Sequence, residues 1–185
     1  MSLSLEWRHR VMAWQHELSQ HLIQPLGKIE LDVAFTKDQY RAADALMTLS
    51  FAPIKPGSAW GSKWEYGWFR GAFTLPEAAS GQMIAVVMDV GGEAAVYVDG
   101  DFAGAFDKEH KAILITDVGQ PGRTYLILLE AYAGHGPQEW RSGPTPPERE
   151  TVPEPPDQQC TLGECLFAVW QEAAFQLAID VETLW

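Results

Sequence analysis

The sequence predicts a mainly β protein, an antiparallel β-sandwich with an amphipathic helix at each end. Three observations support this prediction. The first 24 residues have helical periodicity, the middle consists of short β-branched and aromatic segments between turn residues, and residues 171–185 return to helical periodicity. A chain of 185 residues suits one substantial domain, so we expect a sandwich over residues 25–170 with a helix on either side.

The N-terminal segment, residues 1–24, is predicted to form an amphipathic helix that ends before Pro25. Large apolar residues recur at steps of three and four, at Trp7, Val11, Trp14, Leu18 and Leu22. Because this stripe contains two tryptophans, the helix needs a surface to cover, either the sandwich or a neighbouring domain. Charges of both signs on its polar face favour such packing over membrane binding.

Five segments are predicted to be strands because they are short and rich in β-branched and aromatic residues. They are residues 68–75, 83–90, 94–98, 113–115 and 125–131. Asp99 and Gly100 follow the third segment at a point where a tight hairpin needs positive φ at both central residues. The regular spacing of these segments predicts antiparallel pairing.

The segment from residue 29 to residue 53 admits two interpretations. Thr36 and Gln39 fit a capping box at the start of a short helix, whereas residues 29–35 alternate as a strand does. Residues 143–156 are rich in proline, which lacks the N–H that an interior strand donates. We therefore expect an extended surface loop there.

The C-terminal part is predicted to contain a strand at residues 165–170 and a helix at residues 171–185. Apolar residues of the helix fall at helical spacing, at Ala174, Leu177, Val181 and Leu184. This helix has no glycine stop and no polar tail. We therefore expect the chain to be the front part of a longer protein, into which the helix leads.

Composition narrows the class of protein. The 25 acidic residues outnumber the 13 Lys and Arg without any basic run, which disfavours nucleic-acid binding. Cys160 and Cys165 have no second pair and no nearby histidine, which disfavours zinc. A disulfide between them is an alternative, but the small number of cysteines favours two reduced thiols. No segment resembles a signal peptide or a membrane span, so the expected location is the cytoplasm.

The sequence contains no complete catalytic motif. A phosphate loop, a dinucleotide-binding turn, a zinc-binding His-Glu-x-x-His helix and a Gly-x-Ser-x-Gly elbow are all absent. Asp89 with Glu93, and Asp99 with Asp101, are carboxyl pairs of the kind that glycoside cleavage needs, judged by sequence position alone. Nothing in the sequence locates the apolar pocket that a catalytic acid needs. We therefore predict no catalytic residue and no metal-binding residue.

The histidines are not arranged as metal ligands. His9, His16 and His21 lie on the predicted N-terminal helix at spacings that do not align, so a solvated surface is expected. His135 stands between two glycines, where a sharp turn can present its ring to a pocket. A structural hydrogen-bonding role is the favoured interpretation for this residue.

The aromatic cluster between residues 60 and 70 also has two interpretations. Trp64, Tyr66 and Trp68 alternate with period two, as in a strand that packs one face into a core, and this interpretation is favoured. The alternative is a platform for sugars, whose C–H faces stack on aromatic rings. The candidate sugar contacts under this alternative are Trp60, Trp64, Trp68, Glu93, Asp99 and His135.

Several runs resemble known glycosidase domains. The runs WGSKWEYGWFRGAFTLP at 60–76 and GGEAAVYVDG at 91–100 resemble the galactose-binding-like jelly rolls that precede many glycosidase catalytic domains. More specific resemblance comes from LEAYAGHGP at 129–137, GPTPP at 143–147, LGEC at 162–165 and WQEAAFQLAID at 170–180. These resemble the N-terminal region of bacterial and fungal-vacuolar-like α-mannosidases of glycoside hydrolase family thirty-eight. The resemblance extends from Trp7 to the end of the chain.

This resemblance implies the non-catalytic front domain of a zinc-dependent, retaining α-mannosidase that hydrolyses terminal α-mannosides. The zinc ligands and the attacking aspartate of the family belong to a later catalytic domain, so no cofactor is expected in this chain. The expected partners are its own catalytic domain, other copies in a homo-oligomer of the full-length enzyme, and mannosides. The expected role is docking and support of the active site; the alternative is a carbohydrate-binding module.

Overall fold

The computed structural model describes residues 5–107, 110–134 and 158–183. Its helices are α1 (Leu5–Gln20), α2 (Ala42–Thr48) and α3 (Glu172–Glu182), with a 3₁₀ turn at Glu77–Ala79. Its first six strands are β1 (Ile23–Lys28), β2 (Leu31–Thr36), β3 (Ala52–Ile54), β4 (Ala59–Trp60), β5 (Tyr66–Thr74) and β6 (Ile84–Val87). The remaining strands are β7 (Glu93–Val98), β8 (Asp101–Phe106), β9 (Ala112–Thr116), β10 (Thr124–Tyr132), β11 (Cys160–Thr161) and β12 (Leu166–Trp170).

The longer strands form two antiparallel sheets. One sheet has four strands in the order β1-β12-β6-β9, and the other has six in the order β3-β2-β5-β10-β7-β8. The short strands β4 and β11 pair separately. The predicted mainly β, antiparallel sandwich with terminal helices is confirmed.

The main core lies between the two sheets. Phe69 and Phe73 of β5 and Leu129 of β10 point inward and are buried, as the period-two alternation of a strand requires. Phe167 of β12 stacks on Phe73 from the opposite sheet, with ring centroids 4.4 Å apart. Each such side chain stabilises the fold by about 1.5–3 kcal/mol through its burial. The two sheets are therefore joined by large apolar side chains.

A second, smaller cluster lies on the outer face of the six-stranded sheet. Trp68 of β5 and Leu128 of β10 point outward, and Ala45 of α2 covers them. All three are buried, with Trp68 and Ala45 fully so. Helix α2 therefore covers the centre of this outer face and leaves the sheet exposed on either side.

The predicted hairpin at Asp99 and Gly100 is confirmed. Their φ angles are +53° and +93°, and Val98 pairs with Asp101 across a two-residue turn. The Asp99 Oδ1 atom accepts a hydrogen bond from the backbone N–H of Leu126 at 2.9 Å. The turn is thus tied to strand β10.

The segment from residue 29 to residue 53 forms a strand and a helix, but not through the capping box. The helix begins at Ala42, beyond the expected box. The Thr36 hydroxyl accepts a hydrogen bond from the backbone N–H of Asp38 at 3.0 Å. The Gln39 amide donates to the hydroxyl of Tyr66 at 2.8 Å. Both side chains of the box are used elsewhere, so the strand interpretation holds for β2 and the helix starts later.

Strand β1 forms one edge of the four-stranded sheet and is irregular. Pro25 lies within it, and the pairing register with β12 shifts between Pro25 and Gly27. A Cβ atom on Gly27 would lie 2.7 Å from the ring of Phe167. Glycine at this position therefore lets the strand approach the core aromatic ring closely.

The terminal helices α1 and α3 pack against each other. Val11 of α1 and Val181 of α3 are buried, whereas Trp7 and Trp14 are 48% and 46% exposed. The two tryptophan rings contact edge to face, with centroids 6.4 Å apart. The predicted apolar stripe of the first helix is therefore only partly covered.

The described residues leave some predictions untested. The proline-rich loop at 143–156 and His135 lie outside the described residues. The division of the chain at residues 25 and 170 stays a prediction. Among the described helices, none combines the length and apolar character that crossing a bilayer requires.

Candidate functional site

The outer face of the six-stranded sheet carries two depressions, one on each side of the cluster under α2. Strand register places side chains in rows across this face, because directly paired residues point to the same side. Tyr66, Tyr132 and Glu93 form one row across β5, β10 and β7. Glu130 and Ala95 lie opposite each other in the next row. The first two rows bound the smaller depression.

The larger depression, the central groove, has a volume of about 1290 Å³. It runs over Asp32, Arg70, Leu126 and Leu128, between helix α2 and the loop at residues 162–165. The Arg70 guanidinium bonds the Asp32 carboxylate at 3.2 Å and lies 4.3 Å from the ring centre of Phe51. The charged groups at its centre are therefore paired within the protein.

The smaller depression, which we call the acid pocket, has a volume of about 570 Å³. Its lining consists of Gln39, Tyr66, Glu93, Ala94, Ala95, Ala105, Phe106, Asp107, Glu130 and Tyr132. Tyr66 and Tyr132 stack with ring centroids 4.8 Å apart. Trp64 stacks on the other tyrosine, Tyr132, at 6.5 Å. Two stacked tyrosine rings thus line the pocket beside two glutamates, and Trp64 lies behind Tyr132.

The carboxylates of the acid pocket differ from those of the groove. Within the described residues, neither the Glu93 nor the Glu130 side chain has a hydrogen bond or an ion pair, although Glu130 is partly buried. Burial raises the pKa of Glu130 above its ordinary value. Burial, followed by the charge of Tyr66, also raises the pKa of Tyr132. Glu130 has therefore lost part of its hydration without gaining a side-chain partner among the described residues, whereas Glu93 remains exposed to water.

Comparison with known families identifies the domain. The family model described as "Alpha-mannosidase, jelly roll domain" matches residues 25–168. The chain belongs to this family. A comparison with curated proteins gave no match.

Solved structures similar to this jelly roll domain include β-glucuronidase from Ruminococcus gnavus. In its complex with N1-substituted uronic isofagomine, the identity is 11%, the TM-score 0.52, and the match covers 81% of this chain and 30% of the other. In the complex with D-glucaro-d-lactam, the identity is 11%, the TM-score 0.51, and the coverage 81% and 29%. The chain thus spans less than a third of these enzymes, and the likeness concerns the fold.

The tryptophans predicted as candidate sugar contacts fall in different environments of the jelly roll domain. Trp60 and Trp68 are 3% and 0% exposed, so neither offers a ring face to a ligand. Trp60 packs edge to face on Phe69 and donates its indole N–H to the Val90 carbonyl at 2.8 Å. Trp64 is 44% exposed and has φ of +61°. Of the three, Trp64 alone is exposed, and it stacks on Tyr132, which lines the acid pocket.

The polar side chains predicted as candidate sugar contacts also lie in different places. Glu93 lines the acid pocket, whereas Asp99 lines the central groove. The Asp99 carboxylate is used by the hairpin, since it accepts from the Leu126 N–H at 2.9 Å and from Arg123 at 3.4 Å. Asp89, considered with Glu93 as a carboxyl pair, bonds Lys111 at 2.7 Å. Within the described part of the chain, Glu93 and Asp99 thus lie at different depressions.

The other candidate groups are structural or solvated in the described residues. His9 and His16 are exposed on α1, and His21 is exposed directly after it. Cys160 and Cys165 are buried and are not joined by a disulfide, and burial raises the pKa of Cys165 to about 11. No group of three or more His, Cys, Asp or Glu that could hold a metal ion occurs in residues 5–107, 110–134 and 158–183.

Sequence reasoning missed Glu130, Tyr132, Tyr66 and Gln39 as members of one site. Glu130 and Tyr132 belong to a segment predicted as a strand, where alternate residues point to the same face. That alternation was the available signal. It did not indicate that Tyr66 and Glu93 pair with the same row, because register across distant strands is set by the fold.

Proposed function

We propose that this chain is a non-catalytic accessory domain of an α-mannosidase, which docks on the catalytic domain and supports its active site. The membership in the α-mannosidase jelly roll family supports this role. The likeness to part of a larger glycosidase supports a position within a longer enzyme. The observation that carries the proposal is an uncovered apolar surface on the terminal helices.

This helix-pair surface consists of Trp7 and Trp14 of α1, whose rings contact each other with centroids 6.4 Å apart. Each of these side chains is at least 40% exposed. Val11 and Val181 are buried, and the helices pack on each other. Large apolar side chains gathered on one exposed surface mark protein interfaces more often than solvated surface. A catalytic domain that packs on this surface would bury the tryptophans, which favour interface centres.

In this proposal, the full-length enzyme hydrolyses terminal α-mannosides in the cytoplasm. Zinc and the retaining nucleophile are assigned to the catalytic domain by the family resemblance alone. The chain contributes packing surface and positions the catalytic domain, and association into a homo-oligomer through the same surface is compatible with this role.

The test is binding of this chain to the separately expressed catalytic domain of the full-length α-mannosidase. We expect saturable binding by calorimetry and a rise in hydrolysis of an aryl α-mannoside on mixing. Replacing Trp7 and Trp14 together by Ser is expected to weaken binding at least about tenfold, because two interface aromatics are lost.

The matched control is Phe102→Ser, which removes an aromatic side chain that is 66% exposed on strand β8. It is expected to leave binding unchanged, and circular dichroism checks that all variants fold. Absence of binding, or equal loss for the double variant and the control, would refute docking through the helix-pair surface.

A further inference from the structure

The two terminal helices carry the same spacing of apolar residues. In α1 these residues are Trp7, Val11, Trp14 and Leu18, and in α3 they are Ala174, Leu177 and Val181. Steps of three and four that repeat every seven residues are typical of helices that pack side by side in a bundle. Each helix therefore has one apolar stripe, and a complete bundle would cover the whole of both stripes.

The helix pair covers only part of the two stripes. Val11 and Val181 are buried, so they lie where α1 and α3 meet. Leu177 is 51% exposed, much as Trp7 and Trp14 are. Part of each stripe is thus in contact with water although the helices pack against each other.

The two helices run antiparallel. Helix α1 leads into β1 and α3 follows β12, and these two strands are antiparallel neighbours that pair from Ile23 and Trp170 onward. At the junction, the Gln171 N–H donates to the Leu22 carbonyl at 2.9 Å. Both helices therefore extend from one corner of the four-stranded sheet, and their chain directions are opposite.

Antiparallel packing brings the exposed side chains to one face of the pair. Trp7 and Leu177 each precede the buried valine of their helix by four residues, which rotates them by about 40° to the same side of it. Trp14 follows Val11 by three residues and is rotated by about 60° to that side. A twofold rotation relates two antiparallel helices and keeps this side on one face. Trp7, Trp14 and Leu177 therefore border one groove between the helices, which we call the helix seam.

The charges beside the helix seam select its partner. Asp180 directly precedes Val181, which places it about 100° around the helix, on the side of the seam. Asp180 is exposed and has no ion pair among the described residues, and α3 contains no Lys or Arg. The net charge of -12 makes two copies of the chain repel each other. A partner that brings basic residues to this edge is favoured over a second copy.

We propose that an amphipathic helix of the catalytic domain lies in the helix seam and completes a three-helix bundle. A helix fits because the ridges of its side chains enter the groove between two packed helices. Its apolar residues recur every seven positions and cover Trp7 and Trp14, which are seven residues apart, together with Leu177. Lys or Arg on its edge faces Asp180. This inference rests on the proposed docking function and adds which kind of element docks.

Photocrosslinking in the full-length enzyme identifies what occupies the seam. The photoreactive residue p-benzoylphenylalanine replaces Trp7, Trp14 or Leu177 in turn, and mass spectrometry locates the crosslinked residues. We expect all three positions to react with one helix of the catalytic domain, with the sites from positions 7 and 14 about seven residues apart. The matched control places the same group at Phe102, an exposed aromatic residue of β8, and should not react with that helix.

Variants of this chain separate the seam from a contact made by α1 alone. Leu177→Gln removes an apolar contact from α3 and should weaken binding to the isolated catalytic domain about tenfold. Met12→Gln changes a similarly exposed residue on the other side of α1 and should leave binding unchanged. Asp180→Lys should weaken binding less, and its effect should vanish at about 1 M salt. The charge control Asp117→Lys, in the exposed turn after β9, should leave binding unchanged.

Crosslinks to a strand or loop of the catalytic domain, or binding that Leu177→Gln leaves intact, overturn the helix in the seam but leave docking standing. Crosslinks to α1 or α3 of a second copy also overturn it and assign the seam to self-association. Failure of the catalytic domain to bind this chain at all refutes docking itself. Circular dichroism checks that each variant keeps its helix content.

Discussion

The central groove and the acid pocket occupy the same face of the same sheet but treat their charges in opposite ways. In the groove, Arg70 is bonded to Asp32 and packs on Phe51. In the pocket, Glu93 and Glu130 have no partner in the described residues. Because the charges of Arg70 and Asp32 in the groove compensate each other, they need no further partner. The unpaired carboxylate of the partly buried Glu130 costs stability, whereas the exposed Glu93 stays hydrated.

The largest expected effect is at the boundary between the two depressions. Trp68→Ala should lower the free energy of unfolding by about 3–5 kcal/mol, because it empties the buried cluster beneath α2. Urea denaturation followed by circular dichroism measures the loss. Trp68→Phe should cost less, since the buried indole N–H has no acceptor to lose.

Met47→Ala is the control for this change. Met47 lies on α2 and is 79% exposed, so its truncation should change stability by no more than about 0.5 kcal/mol. A small loss for Trp68→Ala, similar to that of the control, would mean that the cluster does not hold the outer face together.

A smaller effect is expected inside the groove. Arg70→Met keeps an apolar stem but removes the ion pair with Asp32 and the contact with Phe51, which should cost about 1 kcal/mol. Lys28→Met removes the more exposed pair with Glu164 and should cost less than about 0.5 kcal/mol. Thermal denaturation of the two variants compares them. Equal losses would contradict the view that the Arg70 pair is the structural one.

The smallest expected effect is a gain in stability, and it comes from a substitution in the acid pocket. Burial raises the pKa of Glu130 above 4.5, so the folded protein holds this proton to higher pH than the unfolded chain does. Ionisation of Glu130 therefore lowers the stability of the folded state at pH values above the pKa of this group in the unfolded chain. The penalty disappears as the pH falls below that pKa. Glu130→Gln should raise the melting temperature at pH 7 and lose this advantage at about pH 3.5.

Glu77→Gln, which removes an exposed charge from the 3₁₀ turn, controls for the lower net charge. Its melting temperature should follow that of the unmodified chain at pH 7. If Glu130→Gln were destabilising at pH 7, its carboxylate would have a stabilising partner, and the contrast between pocket and groove would be lost.

Local chemistry made much of the fold predictable. Asp99 and Gly100 determine their hairpin because they tolerate positive φ, and the strand prediction at 125–131 differs from β10 by one residue at each end. The capping box failed where tertiary contacts competed. Gln39 bonds Tyr66, which lies 27 positions further along the chain, and no local pattern reveals that bond.

The candidate site was predicted only in part. Of the predicted sugar contacts, Glu93 lines the acid pocket and Trp64 stacks on Tyr132 of its lining. Trp60 and Trp68 have the same residue type and neighbouring positions, but they are buried. Whether each tryptophan is buried or exposed depends on the strand face or the loop that carries it. Glu130 escaped notice because its importance comes from strand pairing and lost hydration, which composition does not encode.

The proline and bulge in β1 have a consequence for self-association. A sheet edge with regular N–H and C=O groups can accept a strand from another molecule and grow into a fibre. Pro25 has no N–H to offer, and the shift at Gly27 breaks the repeat that an incoming strand would need. Polymerisation by strand addition is therefore disfavoured at this edge of the sheet.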